Sequence, residues 1–127
     1  MILGIGNDII EIDRVKRNIE HYQQRFLDRI FTSREQAYCL KRKEPAIHFA
    51  GRFAAKEAIV KALGTGFSQG ISWLDIEIYN DEKGKPSINV SPKIAELFDS
   101  PELSLSISHC RDYATAFAIW TKNPKFS

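Results

Sequence analysis

The side chains best able to do chemistry in this chain are Asp8, Glu57, Lys61, Arg52 and His109. In the run Arg52-Phe53-Ala54-Ala55-Lys56-Glu57-Ala58-Ile59-Val60-Lys61, Arg52 and Lys56 are four apart, as are Glu57 and Lys61. Each pair is therefore adjacent on a helix surface, and Glu57 ahead of Lys61 is the favourable order for an ion pair. That ion pair is one reading. A functional role is the other, because the surrounding phenylalanines and alanines make the helix apolar, and charge near an apolar surface is costly unless matched by partners or ligands. Asp8 sits in an alternating run on the same parity as Gly4 and Gly6. Those glycines leave room for something to come close to the backbone, although an aspartate there could equally cap the following helix. Asp8 and Glu57 together would supply two hard oxygen ligands. That is too few for an all-protein cage but suits magnesium, which also takes phosphate oxygens and water. Spacing alone does not bring them together.

Other chemistries find less support. His109 ends a run in which Ser104, Ser106 and Ser108 alternate with Leu103, Leu105 and Ile107. It lies on the apolar parity, where a structural histidine is the ordinary reading. His21 and His48 stand in other helices without ligand neighbours at metal spacing. No nucleophile elbow accompanies the serines. Gly64-Thr65-Gly66 is too short to be called a phosphate loop, and the Walker and dinucleotide glycine patterns do not occur.

These residues need elements to hold them. Alternation over Ile2 to Ile10 predicts an opening strand with Leu3, Ile5, Asn7 and Ile9 on one side and Gly4, Gly6, Asp8 and Ile10 on the other. From Asp13, Val15, Ile19, Tyr22 and Phe26 recur at helical spacing and predict one amphipathic helix with basic residues turned outward. Thr32 with Glu35 is a capping-box pattern for a second helix, which should end near Glu44 because Pro45 follows. The longest helix runs from about Ala46 to Leu63, with Gly64 as its left-handed terminator. Trp73 to Tyr79 predicts a strand, and Asn80 to Gly84 a hairpin loop returning through Lys85 to Val90, with Pro86 favouring a sheet edge. Ser91-Pro92 opens a short helix carrying Ile94, Leu97 and Phe98. Leu103 to His109 and Tyr113 to Trp120 predict two strands around a Cys110-Arg111-Asp112 turn. The order implies an α+β fold in one domain over residues 1–127, a mostly antiparallel sheet packed against the long central helix.

Composition narrows the class. With 43% hydrophobic and 27% charged residues in 127, the chain reads as globular, with neither disorder nor repeats. No apolar run is long enough to span a membrane and the start lacks a signal-peptide pattern, so a cytoplasmic location is expected, with no membrane partner. Cys39 and Cys110 lie far apart and read as reduced thiols. A net charge of +2 does not indicate a nucleic-acid partner. Yet residues 14 to 43 hold nine basic residues against three acidic ones, a local +6. Such a segment is either a solvated helix face or a surface that steers a phosphate-bearing ligand or an acidic protein.

Three segments together resemble the signature of the holo-acyl-carrier-protein synthases, the small single-domain class of the 4′-phosphopantetheinyl transferases. They are Gly4-Ile5-Gly6-Asn7-Asp8-Ile9-Ile10-Glu11 with Arg14; Phe49 through Lys61 with Gly64-Thr65-Gly66; and Ser106-Ile107-Ser108-His109. Gly84-Lys85-Pro86 adds a fourth match. The resemblance implies transfer of the 4′-phosphopantetheine arm of coenzyme A to a serine of an apo acyl carrier protein, in support of fatty acid biosynthesis. It implies Asp8 and Glu57 as magnesium ligands and Lys61 at the same phosphates. Arg52, His109 and Lys43 would hold the 3′-phosphate side of the nucleotide, and Gly64, Thr65, Gly66 and Pro86 would shape its pocket. Arg14 would meet the acidic carrier, and a homotrimer would share each active site between neighbours. The base that takes the serine proton stays open among Glu57, a metal-bound water and hydroxide. Asn7 departs from the residues usual at its position, and Cys110 has no counterpart to assign. Two competing readings are a non-catalytic module binding an acidic protein, and a metal-free coenzyme A acyltransferase with His109 as base.

Overall fold

The computed structural model describes residues 1–122. Its elements, in chain order, are β1 (Ile2–Glu11), α1 (Ile12–Tyr22), α2 (Gln24–Ile30), α3 (Ser33–Leu40), α4 (Pro45–Leu63), a 3-10 turn at Trp73–Asp75, β2 (Ile76–Asn80), β3 (Pro86–Val90), α5 (Pro92–Leu97), β4 (Glu102–His109) and β5 (Tyr113–Thr121). The strands form two antiparallel sheets, β1-β5-β4 and β2-β3. The α+β architecture with a central helix follows the sequence reading.

α4 lies on the three-stranded sheet at very short range, and small residues make this possible. The register aligns Gly6 with Ala118, Asp8 with Ala116 and Ile10 with Ala114, and all three β5 alanines are buried under α4's own Ala54, Ala58 and Ala62. A Cβ placed on Gly4 would come to 2.0 Å from the Ala62 carbonyl oxygen, and one on Gly6 to 2.1 Å from that of Ala58. The room the glycines leave is thus filled by α4 itself. Larger side chains on β4, β2 and the helices complete the core, among them Phe31 and Phe49 with ring centroids 4.8 Å apart.

Several expected elements differ. The single helix from Asp13 to Phe26 is two helices, because Gln23 takes φ 53° and turns the chain; Tyr22, expected on the apolar stripe, is exposed at that break. α3 ends at Leu40, four residues before Glu44, and Lys41–Glu44 form the turn into α4. The strand expected from Trp73 begins at Ile76, since the Ser72–Asp75 capping box winds the first residues into a 3-10 turn and leaves Leu74 exposed. Leu97, expected on the apolar face of α5, is exposed as well. The Thr32–Glu35 capping box, Gly64 at φ 81° and Ser91 accepting from Ile94 N stand as read.

Candidate active site

β1 and α4 bring Asp8, Glu57 and Lys61 together. Asp8 points from β1 toward α4, and Lys61, one turn after Glu57, donates from Nζ to Asp8 Oδ1 at 3.1 Å and to the Asn7 carbonyl at 3.0 Å. The Glu57–Lys61 surface ion pair does not form; Lys61 reaches across to the strand instead. Asp8 and Glu57 line one cleft of about 450 Å³, together with Arg14 and Asn18 from α1, Phe53 from α4 and Tyr113 from β5. Desolvation in that cleft, and then the negative charge of Asp8, push the Glu57 carboxyl above its usual range, with Lys61 partly opposing the shift. A carboxylate whose charge is disfavoured by desolvation and by a neighbouring Asp8 makes a site that gains from a cation. No group of three or more His, Cys, Asp or Glu side chains that could enclose a metal occurs among the described residues. A two-carboxylate donor set of oxygens fits magnesium that keeps open positions for phosphate and water.

A second cluster sits on the other side of α4. Arg52 is 4% exposed, donates from Nη2 to Asn80 Oδ1 at 2.8 Å and places its guanidinium 4.3 Å from the Tyr38 ring centroid. Arg42 lies over the same ring at 4.0 Å. His48 packs edge-on to Tyr38, and burial, then Arg52, Arg42 and His109, hold its imidazole below its usual value. Neither arginine pairs with a carboxylate among the described residues, and Arg52 Nε is buried without an acceptor. Positive charge thus accumulates unmatched, which is the electrostatic shape of an anion site.

The expected site residues therefore fall into two groups. Asp8, Glu57 and Arg14 line the cleft, and Lys61 adjoins it through its hydrogen bond to Asp8. Arg52 and Pro86, which pairs with the Asn80 that receives Arg52, belong to the second cluster. His109 is exposed at the end of β4, close enough to act on His48 and separated from Asp8's strand by β5. Lys43 is exposed in the 41–44 turn. Gly64 and Gly66, both at positive φ, and Thr65 close the C-terminal end of α4 beyond Lys61. Arg52 and Gly64 are separated by roughly 18 Å of helix rise. Tyr38 and Arg42 were not singled out by sequence, and His48 was set aside there for want of ligand neighbours, although it stands four residues before Arg52.

Comparison with known proteins identifies the family. Residues 4–118 match the family described as the 4′-phosphopantetheinyl transferase superfamily. A holo-acyl-carrier-protein synthase of Protochlamydia amoebophila is 69% identical over 121 residues, covering 95% of this chain and 99% of its own. The crystal structure of the holo-acyl-carrier-protein synthase of Neisseria meningitidis superposes with a TM-score of 0.88 at 38% identity, covering 96% of this chain and all of that one. That of the Bacillus anthracis synthase, in complex with CoA (3′,5′-ADP), gives a TM-score of 0.80 at 39% identity, covering 94% and 96%.

Proposed function

Since this chain belongs to the 4′-phosphopantetheinyl transferase superfamily, among its holo-acyl-carrier-protein synthases, we propose that it transfers 4′-phosphopantetheine from coenzyme A to a serine of apo acyl carrier protein, with the Asp8/Glu57 cleft as the reaction centre. The observation that carries the placement is the pair of carboxylates facing one cleft with Lys61 bridging to Asp8. The serine oxygen forms a bond to the phosphorus bearing the pantetheine arm. The bond from that phosphorus to the leaving phosphate breaks, releasing adenosine 3′,5′-bisphosphate, and the serine proton passes to a base.

Asp8 and Glu57 would hold magnesium, which supplies neutralisation of charge on the pyrophosphate oxygens when bound. Lys61, anchored at Asp8 and the Asn7 carbonyl, has an ammonium placed to hydrogen-bond the same phosphates. Gly64, Thr65 and Gly66 border this end. At the other end Arg52, His109 and Lys43 would bind the 3′-phosphate, and Pro86 would border the base. The unmatched charge of Arg52 and its acceptor-less Nε support that assignment. Replacing Arg52 by glutamine is expected to lower discrimination between coenzyme A and dephospho-coenzyme A by about 10-fold or more, the value of a charge-assisted phosphate contact. Steady-state kinetics with both substrates measure it.

Arg14 is exposed at the start of α1 on the rim of the cleft and forms no salt bridge among the described residues. It would meet the acidic carrier. Arg14→Gln is expected to raise KM for the carrier and weaken its dependence on ionic strength, with KM for coenzyme A unchanged.

The two groups of site residues do not converge within one chain, and on the sheet face away from α4 the β1 and β5 strands expose apolar side chains, with Ile5 59%, Ile9 66% and Phe117 45% exposed. A homotrimer covering that face would let the cleft of one copy meet the Arg52 cluster of its neighbour. Phe117→Lys is expected to yield a monomer by light scattering and to lose transfer activity; a wild-type chain fully active as a monomer would refute the shared site. No helix among the described residues is long and apolar enough to cross a membrane, in keeping with a cytoplasmic reaction supporting fatty acid synthesis.

Intact mass spectrometry of an apo acyl carrier protein incubated with this protein, coenzyme A and magnesium tests the whole reading. The carrier is expected to gain one phosphopantetheine, and to gain none when the metal is chelated. No gain with several carriers would leave a carrier-binding module in its place.

A further inference from the structure

α4 is apolar around most of its circumference, so hydrophobicity alone does not choose which way it turns on the sheet. Its bed of glycine and alanine admits it closely but offers few side chains to interlock. Charged contacts settle the orientation. In front, Lys61 reaches Asp8. Behind, Lys56 is fully buried, and its ammonium donates to the Ile30 carbonyl at 2.6 Å, Glu35 Oε1 at 2.7 Å and the Trp73 carbonyl at 3.1 Å. Its three protons meet three acceptors. Glu35, also fully buried, accepts from Thr32 N at Oε1 and from Ile78 N at Oε2. One ion pair thus ties α4 to the end of α2, the start of α3, the 3-10 turn and β2.

The same contact reaches the cleft by a second path. Trp73 lies 4.0 Å from Phe67 and 4.7 Å from Phe53 between ring centroids, and Phe53 lines the cleft beside Glu57. A buried ion pair is seldom the most stabilising way to fill a core, since packed apolar side chains of like volume often do as well or better. What it adds is direction, because three hydrogen bonds fix both the rotation and the axial position of the helix.

We propose that Lys56, with Glu35, is a positioning residue for phosphopantetheine transfer: the buried pair sets the rotation of α4 and so aims Glu57 and Phe53 into the cleft. The inference rests on Glu57 being a working carboxylate of that reaction. The test compares wild type, Glu57→Gln, Glu35→Gln and the double variant Lys56→Met/Glu35→Met for kcat, KM of coenzyme A, thermal midpoint, and the rise in midpoint on adding magnesium. The double variant leaves neither charge uncompensated but removes the partners of Thr32 N, Ile78 N and the Ile30 and Trp73 carbonyls, so its midpoint is expected to fall and kcat is measured below its transition. Its kcat is expected to fall by roughly 10-fold to 100-fold, as for a small misplacement of reacting groups, with KM for coenzyme A within about threefold and a smaller magnesium-induced rise. Glu35→Gln keeps the acceptor to Lys56 and is expected to hold kcat within about threefold despite a lower midpoint. A double variant that matches wild type in kcat overturns the proposal. If the double variant does not fold, Lys56→Met assayed below its transition takes its place: a kcat lowered about tenfold or more with KM for coenzyme A held supports the proposal, and a kcat within about threefold of wild type overturns it. Full turnover in Glu57→Gln would instead refute the assignment of Glu57.

Discussion

Glutamine in place of Glu57 is expected to lower transfer by about 100-fold to 1,000-fold, the usual effect of removing one electrostatic contact to a transition state, while the domain stays folded. The carboxylate faces Asp8 in a partly desolvated cleft, and both influences hold its pKa above the ordinary glutamate value. A raised carboxyl pKa means that the folded state holds the proton more tightly than the unfolded chain, so the ionised group opposes folding above the raised pKa and is relieved as pH falls through it. Glu57→Gln removes that opposition at neutral pH, and its thermal midpoint without metal is expected to equal or exceed that of wild type. Magnesium should raise the midpoint of wild type, and much less that of Glu57→Gln. In the metal-free protein the same shift makes magnesium binding weaken as pH falls through the raised pKa, because the proton and the cation compete for Glu57. Near-normal transfer by Glu57→Gln, or a midpoint well below wild type, would reject this account.

Alanine at position 6 is expected to cost about 3 kcal/mol or more, at the upper end of what overpacking costs, and to abolish transfer. Its Cβ would lie 2.1 Å from the Ala58 carbonyl oxygen, 2.7 Å from Ala62 N and 2.9 Å from Lys61 Cβ. Two of these atoms are helix backbone and cannot step aside, so α4 as a whole must lift from β1. Lifting it carries Lys61 away from Asp8 and opens the cleft. Gly51→Ala is the matched control. There the new Cβ meets only Ile107 Cγ2 at 3.1 Å, a side-chain atom, and the substitution gains up to about 1 kcal/mol of helix propensity. Urea unfolding of both variants, with transfer assayed below the transition, separates the two. Equal stabilities would show that α4 does not depend on the glycine bed.

Local rules carried the sequence reading far. Caps at Thr32 and Ser91, the left-handed Gly64 and the alternation of β1, β4 and β5 are set by neighbours within four residues, so the chain declares them directly. The motifs around Asp8, Glu57 and His109 were legible for the same reason, as strings of adjacent residues. Long-range partners were not. Glu35 shows as a helix cap in sequence, yet its second oxygen receives Ile78 N and its first also takes Lys56, contacts made across 43 and 21 positions. Lys56 looked like a surface charge next to Arg52, and both are buried because α3 and the β2-β3 hairpin close over that side of α4. Nor did sequence announce the break at Gln23, where an ordinary residue takes a positive φ to turn α1 into α2.

Most of the elements, the residue types available for phosphate and cation chemistry, and the family resemblance were legible in the chain alone, because these depend on local spacing and composition. Tertiary structure decided which of those residues meet. Asp8 and Lys61 are 53 positions apart and touch because glycines at 4 and 6 let a helix backbone rest on the strand. Arg52 turned from the cleft to a separate cationic cluster because its helix face is set by where Lys56 finds Glu35. Contacts of that kind are fixed by packing between distant segments, and no periodicity in the chain encodes them.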